Sequence, residues 1–323
     1  MTNTMPVAVQ EEPAPYLDHD GLWKKVITDL FEPFLLFFVP DLYEQLDWNK
    51  QPDSLEQELK RTFPEKKGTK YTDKLMKVHL KDGKEQWVLV HVEIQGSKED
   101  DFPERMFQYF YRIFDKYKQK IYAIALLTDA DQSFQPTSYE YHFHGTTLTY
   151  AYNTYKIRAQ DEEALLKSNN PFALVVLAGK YMLKSENNAD DRYQFKRQLF
   201  ELILHNKNYS QAYTQSLLSF VDYLLTVPEE LSQKLQEEFN PIAEEEVSLM
   251  HNTSFPDPPT LKPLFDKLRK EREEGRMEGR EEGIEASKRK IAEVMLNNGY
   301  SDEEIIKMTS ITENELNGIK NKI

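Results

Sequence analysis

The sequence predicts an α/β fold: a mixed central sheet flanked by helices, followed by an all-helical C-terminal extension. Three observations predict it. Residues 75–94 read as two alternating arms around Asp82-Gly83, a turn signal because Gly accepts the positive φ of a tight reversal. Residues 121–128 form a short, nearly continuous apolar run, the pattern of a central strand. Between them Met106, Phe110, Ile113 and Tyr117 recur at helical spacing, widened by Phe107 and Phe114.

The 323 residues suffice for one core domain plus a helical extension. Residues 1–17 are polar and Pro-rich and are expected to be disordered. A core domain is expected over 18–160, a helical subdomain over 161–251, and a linker with C-terminal helices over 252–323. Asp20 is placed to cap a first helix reaching about residue 32, with a break near Pro33. Residues 41–70 link that helix to the hairpin. Asp101 is expected to cap the next helix, with Pro103 in its first turn. Residues 148–157 read as a further strand. Later patterns predict helices over 171–182, 191–205, 211–226 and 229–239, with Pro228 breaking the last pair.

The tail repeats Glu-Gly at 274–275, 278–279 and 282–283. On a helix these glycines make a slowly drifting stripe, at about 1 kcal/mol of lost propensity each. Self-association through that stripe, or a charged linker, accounts for it. Gly299 ends that helix, and Ser301 with Glu304 spells a capping box. The last helix resembles the end of a helix-turn-helix. Glu313 and Glu315 make it poor for a DNA groove, so a small dimerisation or partner-binding unit is at least as consistent.

There is no cysteine, hence no disulfide framework and no Cys-based zinc site. The apolar run 34–39 is too short to span a bilayer, and the N-terminus lacks a signal-peptide pattern. A cytoplasmic protein without a membrane partner is expected. The formal charge of −14 argues against a general DNA-binding field. Yet residues 60–84 hold nine Lys/Arg against three acids, and Arg112, Lys116, Lys118 and Lys120 form a second basic group. Each is a local phosphate patch or a solvated lysine-rich surface.

In the second arm Glu93 and Gln95 share a face. A two-residue turn sets Asp73 opposite Val92, on the wrong face. A three-residue loop over 81–83 sets it opposite His91 and diagonal to Glu93, where two carboxylates and an amide oxygen converge. Hard oxygen donors at that spacing suit Mg²⁺ or Mn²⁺; a strand-end cap and a solvated charge are the plainer reading. His142 and His144 alternate on an expected strand and would share a face; a structural role suits them better than a metal.

Asp73 followed by Glu93-x-Gln95 resembles the PD-(D/E)XK nuclease superfamily, in the Rpn branch of recombination-promoting nucleases and transposase-related (YhgA-like) proteins. Trp23-Lys24, Phe34-Leu35-Leu36-Phe37-Phe38-Val39-Pro40, Leu46-Asp47-Trp48, Val90-His91-Val92-Glu93-Ile94-Gln95-Gly96, Phe102-Pro103-Glu104-Arg105-Met106-Phe107-Gln108-Tyr109 and Tyr111-Arg112-Ile113-Phe114-Asp115-Lys116-Tyr117 carry the likeness, over residues 17–160. It implies a restriction-endonuclease-like core and metal-dependent DNA cleavage that promotes recombination. Asp73, Glu93 and the Ile94 main-chain carbonyl would bind Mg²⁺, Gln95 would contribute through its oxygen or orient water, and Glu32 or Asp20 would be an outer ligand. Asp29 is a weaker candidate for that position. Gln95 stands where the superfamily carries lysine, which leaves that lysine's role unassigned. Lys70, Lys74, Lys77, Arg105, Gln108 and Arg112 are the candidate DNA contacts. The alternative is a non-catalytic DNA- or protein-binding module on a decayed nuclease fold; a glycosidase built on the two acids has little support.

Overall fold

The computed structural model describes residues 19–55, 57, 73–81, 87–95, 97–246 and 255–321; for residues 20, 73, 87–95 and 245–246 it describes the backbone alone. The expected turn at Asp82-Gly83, Lys70 and the N-terminal 17 residues lie outside the described residues. The fold is mixed α/β with a helical C-terminal region. The chain divides into two compact units at Lys262/Pro263.

The first unit opens with α1 (His19–Asp29), α2 (Phe31–Phe38) and the single turn α3 (Pro40–Tyr43). The helix break falls at Leu30, ahead of Pro33. Pro33 sits in the first turn of α2, where a missing N–H costs no intrahelical hydrogen bond. Asp20 is inside α1 rather than before it.

Five strands form the main sheet: β1 (Asp53–Ser54), β2 (Asp73–His79), β3 (Trp87–Gln95), β4 (Lys120–Leu127) and β7 (Asn153–Lys156), in the order β1-β2-β3-β4-β7. β1, β2 and β3 are antiparallel neighbours; β3, β4 and β7 are parallel. Between β3 and β4 runs α4 (Phe102–Tyr117). Asp101 occupies its N-cap position, but its side chain makes no cap hydrogen bond; Pro103 lies in the first turn as expected. Lys118 closes the helix at φ +52.

The return from β4 to β7 carries a separate hairpin, β5 (Ser138–Phe143) and β6 (Thr146–Ala151). The single strand expected over 148–157 is therefore two, parted at Tyr152, whose backbone N–H donates to the Thr137 carbonyl at 3.0 Å. His144 does not share a strand face with His142. It sits in the hairpin turn at φ +42 beside Gly145 at φ +88, the pair of positive values a tight two-residue turn requires.

The helical part comes next as α5 (Glu162–Lys167), α6 (Phe172–Lys184), α7 (Ala189–Leu204), α8 (Gln211–Leu224) and α9 (Glu229–Glu246). The last runs through Pro241, past the end expected at 239. These helices share a core with the chain's first helices. Trp23 on α1 is fully buried and meets the Phe220 ring edge-on at 5.2 Å; Phe34 meets Phe172 at 5.2 Å. α1 presents Leu22, Trp23, Val26 and Ile27 as a buried stripe at helical spacing, continued by Leu30 at the break. Gly179 lets that happen: a Cβ there would lie 2.9 Å from Trp23 Cζ2.

The second unit contains α10 (Lys262–Asn297), α11 (Asp302–Thr309) and α12 (Glu313–Lys320). Ala292, Met295, Ile305, Ile311, Leu316 and Ile319 make its core. Gly299, at φ +80, ends α10. The Ser301–Glu304 capping box is present, and Thr312–Glu315 repeats it on α12. A Cβ at Gly275, Gly279 or Gly283 would meet nothing. The exposed apolar residues of α10 lie elsewhere: Met277, Ile284 and Ile291 recur every seven residues, with Val294 beyond.

Gly179→Ala should destabilise the fold, about 1–3 kcal/mol of overpacking against Trp23 outweighing about 1 kcal/mol of helix propensity; a lowered urea midpoint with unchanged slope is the expected readout. In the second unit, the backbone N–H of Ser301 and then its hydroxyl hold the Glu304 carboxyl below the usual range, and Thr312 does the same for Glu315. Carboxyls depressed by folding stabilise above their ordinary pKa of about 4.3 and lose that contribution as pH falls through the folded value. Hydrogen-exchange protection of residues 301–320 should therefore drop below about pH 4, and Glu304→Gln with Glu315→Gln should flatten the drop.

Candidate metal and nucleic-acid site

The register of β2 on β3 sets Asp73 directly opposite Glu93, with His79 opposite Trp87. This differs from both registers expected from a two- or three-residue turn. Directly opposed residues of an antiparallel pair share a face with Cβ atoms about 4.5–5.5 Å apart, nearer than the diagonal expected from sequence. Gln95, two residues on, falls on the same face of β3. Ile94 is in register with Leu126 on the parallel side. The side chains of Asp73, Glu93 and Gln95 lie outside the described residues.

Alternation assigns the two faces of β2. Leu75, two residues from Asp73, is buried against Tyr109 and Ile113 of α4. Lys74 is on the other face, 1% exposed, its Nζ donating to Thr28 Oγ1 of α1 at 2.6 Å. Asp20, on α1, therefore starts from the far side of β2 relative to the Asp73–Glu93 face. Glu32 is exposed on α2 and accepts a hydrogen bond from the Tyr43 hydroxyl at 2.9 Å. Burial first, and then Glu32, raise the Tyr43 pKa. Asp29 accepts from Ser216 Oγ at 2.7 Å, a link between α1 and α8.

The candidate phosphate contacts divide by how deeply the fold uses them. Lys74 is spent on Thr28 inside the fold. Lys77 lies 3.6 Å from Asp53 across β1–β2. The Arg105 side chain is only 11% exposed: Nη1 meets Glu99 Oε2 at 2.6 Å, and the guanidinium lies over the Phe102 ring at 5.3 Å. It clasps the turn that starts α4. Gln108 donates to Glu104 at 3.0 Å. Arg112, further along α4, is exposed.

A buried ion pair that the sequence did not reveal sits at the same end of the sheet. Gln95 is in register with Leu127, and Leu127 with Lys156, so the C-terminal ends of β3, β4 and β7 align. Asp129 comes two residues after β4. Both its carboxylate oxygens accept from Lys156 Nζ at 2.6 Å, and the Phe134 carbonyl accepts a third bond at 3.2 Å. Side-chain exposures of 2% and 4% put the pair inside the protein. The Lys156 ammonium is thus taken up by three oxygens of Asp129 and Phe134. The available signal was a lysine flanked by Tyr155 and Ile157 and an acid just past an apolar strand. Lys196 and Asp222 form a second buried pair in the helical layer, with Asp222 also accepting from the Thr260 backbone N–H at 2.7 Å.

Among the described residues no group of three His, Cys, Asp or Glu is placed to hold a metal; the Asp73 and Glu93 side chains are outside that set. Nor is any described helix long and apolar enough to cross a membrane. No family model, curated protein or solved structure matches the chain.

Asp129→Ala strands the Lys156 ammonium in the interior and should cost about 3–5 kcal/mol. Replacing both members with apolar residues, Asp129→Leu with Lys156→Met, should recover most of that loss in urea unfolding, because no unpaired charge remains buried.

Proposed function

We propose that this chain is a divalent-metal-dependent DNA endonuclease of the PD-(D/E)XK type, with the motif pattern of the Rpn recombination-promoting nucleases. The observation that carries the reading is the direct opposition of Asp73 and Glu93 with Gln95 on the same face. Two carboxylates and an amide oxygen are hard donors and fit Mg²⁺ or Mn²⁺. Asp73 and Glu93 would hold the ion with the Ile94 carbonyl, and Gln95 would orient the attacking water. When bound, the ion lowers the pKa of a water and offsets charge on the phosphate. The protein is read as cytoplasmic and as self-associating through the C-terminal helices. The exposed Met277, Ile284 and Ile291 of α10 supply a better face for that contact than the glycines.

A second reading, a binding module without catalysis, draws on the candidate phosphate contacts. Lys74 is buried and Arg105 is committed to Glu99, so fewer cations flank the acids than the sequence suggests.

Plasmid cleavage with Mg²⁺, Mn²⁺ or EDTA, for wild type beside Asp73→Ala and Glu93→Ala, tests the proposal. Metal-dependent cutting should fall at least about a hundredfold, roughly 2.7 kcal/mol of barrier, in each folded variant. Folded wild type that cuts neither duplex nor single-stranded DNA would leave the binding module.

A further inference from the structure

Two columns of aromatic rings run along α4 and end exposed. In one, Phe107 is stacked between Tyr139 of β5 at 5.3 Å and Tyr111 at 6.3 Å. Tyr111 is 56% exposed. In the other, Phe110 packs on Tyr150 at 4.7 Å and stacks on Phe114 at 5.9 Å; Phe114 is 46% exposed. The inner rings thus fix the outer ones in place. On the hairpin, Tyr141 and Phe143 alternate with outward polar residues and are exposed as well. In a chain of charge −14, the stretch 111–120 holds four cations (Arg112, Lys116, Lys118 and Lys120) and one acid, Asp115, which Lys118 meets at 2.7 Å. Lys118 Nζ also lies over the Phe114 ring at 5.7 Å.

We propose that this face of α4 and the β5–β6 hairpin binds a single DNA strand, with bases stacking on Tyr111, Phe114, Tyr141 and Phe143 and phosphates meeting the four cations. Exposed rings, two of them backed by half-buried rings, with basic side chains on the same helix and on the turn that follows it, are what a base-stacking, backbone-tracking surface needs. A duplex keeps its base faces stacked inside and offers these rings nothing. A two-fold contact with a second copy would set the four cations against their own counterparts, which disfavours that occupant. The surface lies toward the C-terminal end of α4, whereas Gln95 leads into its N-terminal end. α4 is about 24 Å long at 1.5 Å per residue, so a strand covering both regions would span several nucleotides. The inference rests on the nuclease reading only in joining this strand to the acids; binding itself does not depend on catalysis.

The test is fluorescence anisotropy of a labelled oligothymidylate and of a labelled duplex, on the full chain. Wild type should prefer the single strand. Tyr111→Ala with Phe114→Ala, and separately Tyr141→Ala with Phe143→Ala, should weaken it by about tenfold or more, while Tyr111→Phe should not. Arg112→Glu with Lys118→Glu should weaken binding and flatten its salt dependence. Single-strand affinity that ignores the ring variants, or equal affinity for duplex, would overturn the proposal. So would sedimentation showing a wild-type dimer that the ring variants make monomeric, since a second copy would then own the face. With Asp73→Ala and Glu93→Ala in place, strand binding should still depend on the rings, so loss of cutting with that dependence kept would fault neither surface. Ring-dependent binding by a wild type that cuts nothing would retain this surface and remove the nuclease.

Discussion

The pairing of β3 on both of its edges is the constraint on which the first unit depends. Its antiparallel edge sets Asp73 against Glu93; its parallel edge aligns Gln95 with Leu127 and, through β4, with Lys156. A slip of one residue against β2 would put Asp73 opposite Val92 and part the two acids onto opposite faces. The same slip would turn Leu75 away from Tyr109 and Ile113, and Lys74 away from Thr28. The core therefore enforces the register that sets Asp73 opposite Glu93. Parallel pairing also requires a crossover between β3 and β4, and α4 is that crossover.

The helices after the sheet complete this unit rather than append to it. α1 buries a full stripe, and part of its cover arrives about two hundred residues later in sequence, as Phe220 against Trp23 and Ser216 on Asp29. Gly179 sets how closely α6 approaches Trp23. α1 and α2 consequently share their core with α6 and α8.

Charge placement separates architecture from binding more sharply than charge count does. Lys74, Arg105, Lys156 and Lys196 are largely removed from water, and each meets a specific oxygen: a hydroxyl for Lys74 and a carboxylate for each of the other three. Buried cations must be paired because an isolated one costs several kcal/mol. At the end of α4, by contrast, Lys118 stays at the surface with its ammonium over the exposed Phe114 ring. Sequence counts cannot tell these populations apart.

What the sequence determined by itself was local. The Ser301–Glu304 capping box, the αL stop at Gly299, the strand after residue 120 and the amphipathic α4 each depend on side chains within one or two turns, or on a run of apolar residues. The Asp73, Glu93-x-Gln95 pattern was legible as a candidate site, and the sharing of a face by Glu93 and Gln95 comes from the strand period alone. The tertiary structure decided everything that depends on distant partners. The opposition of Asp73 and Glu93 results from how β2 docks on β3, which turn chemistry read alone set one or two residues away. His144 left its strand because His144-Gly145 takes the left-handed turn of a hairpin whose existence depends on β6. The helix break moved to Leu30 because a first-turn proline loses no hydrogen bond, so packing was free to choose the boundary. Which lysines are buried could not be read at all, because burial is a property of the elements that cover a residue and not of its neighbours in sequence.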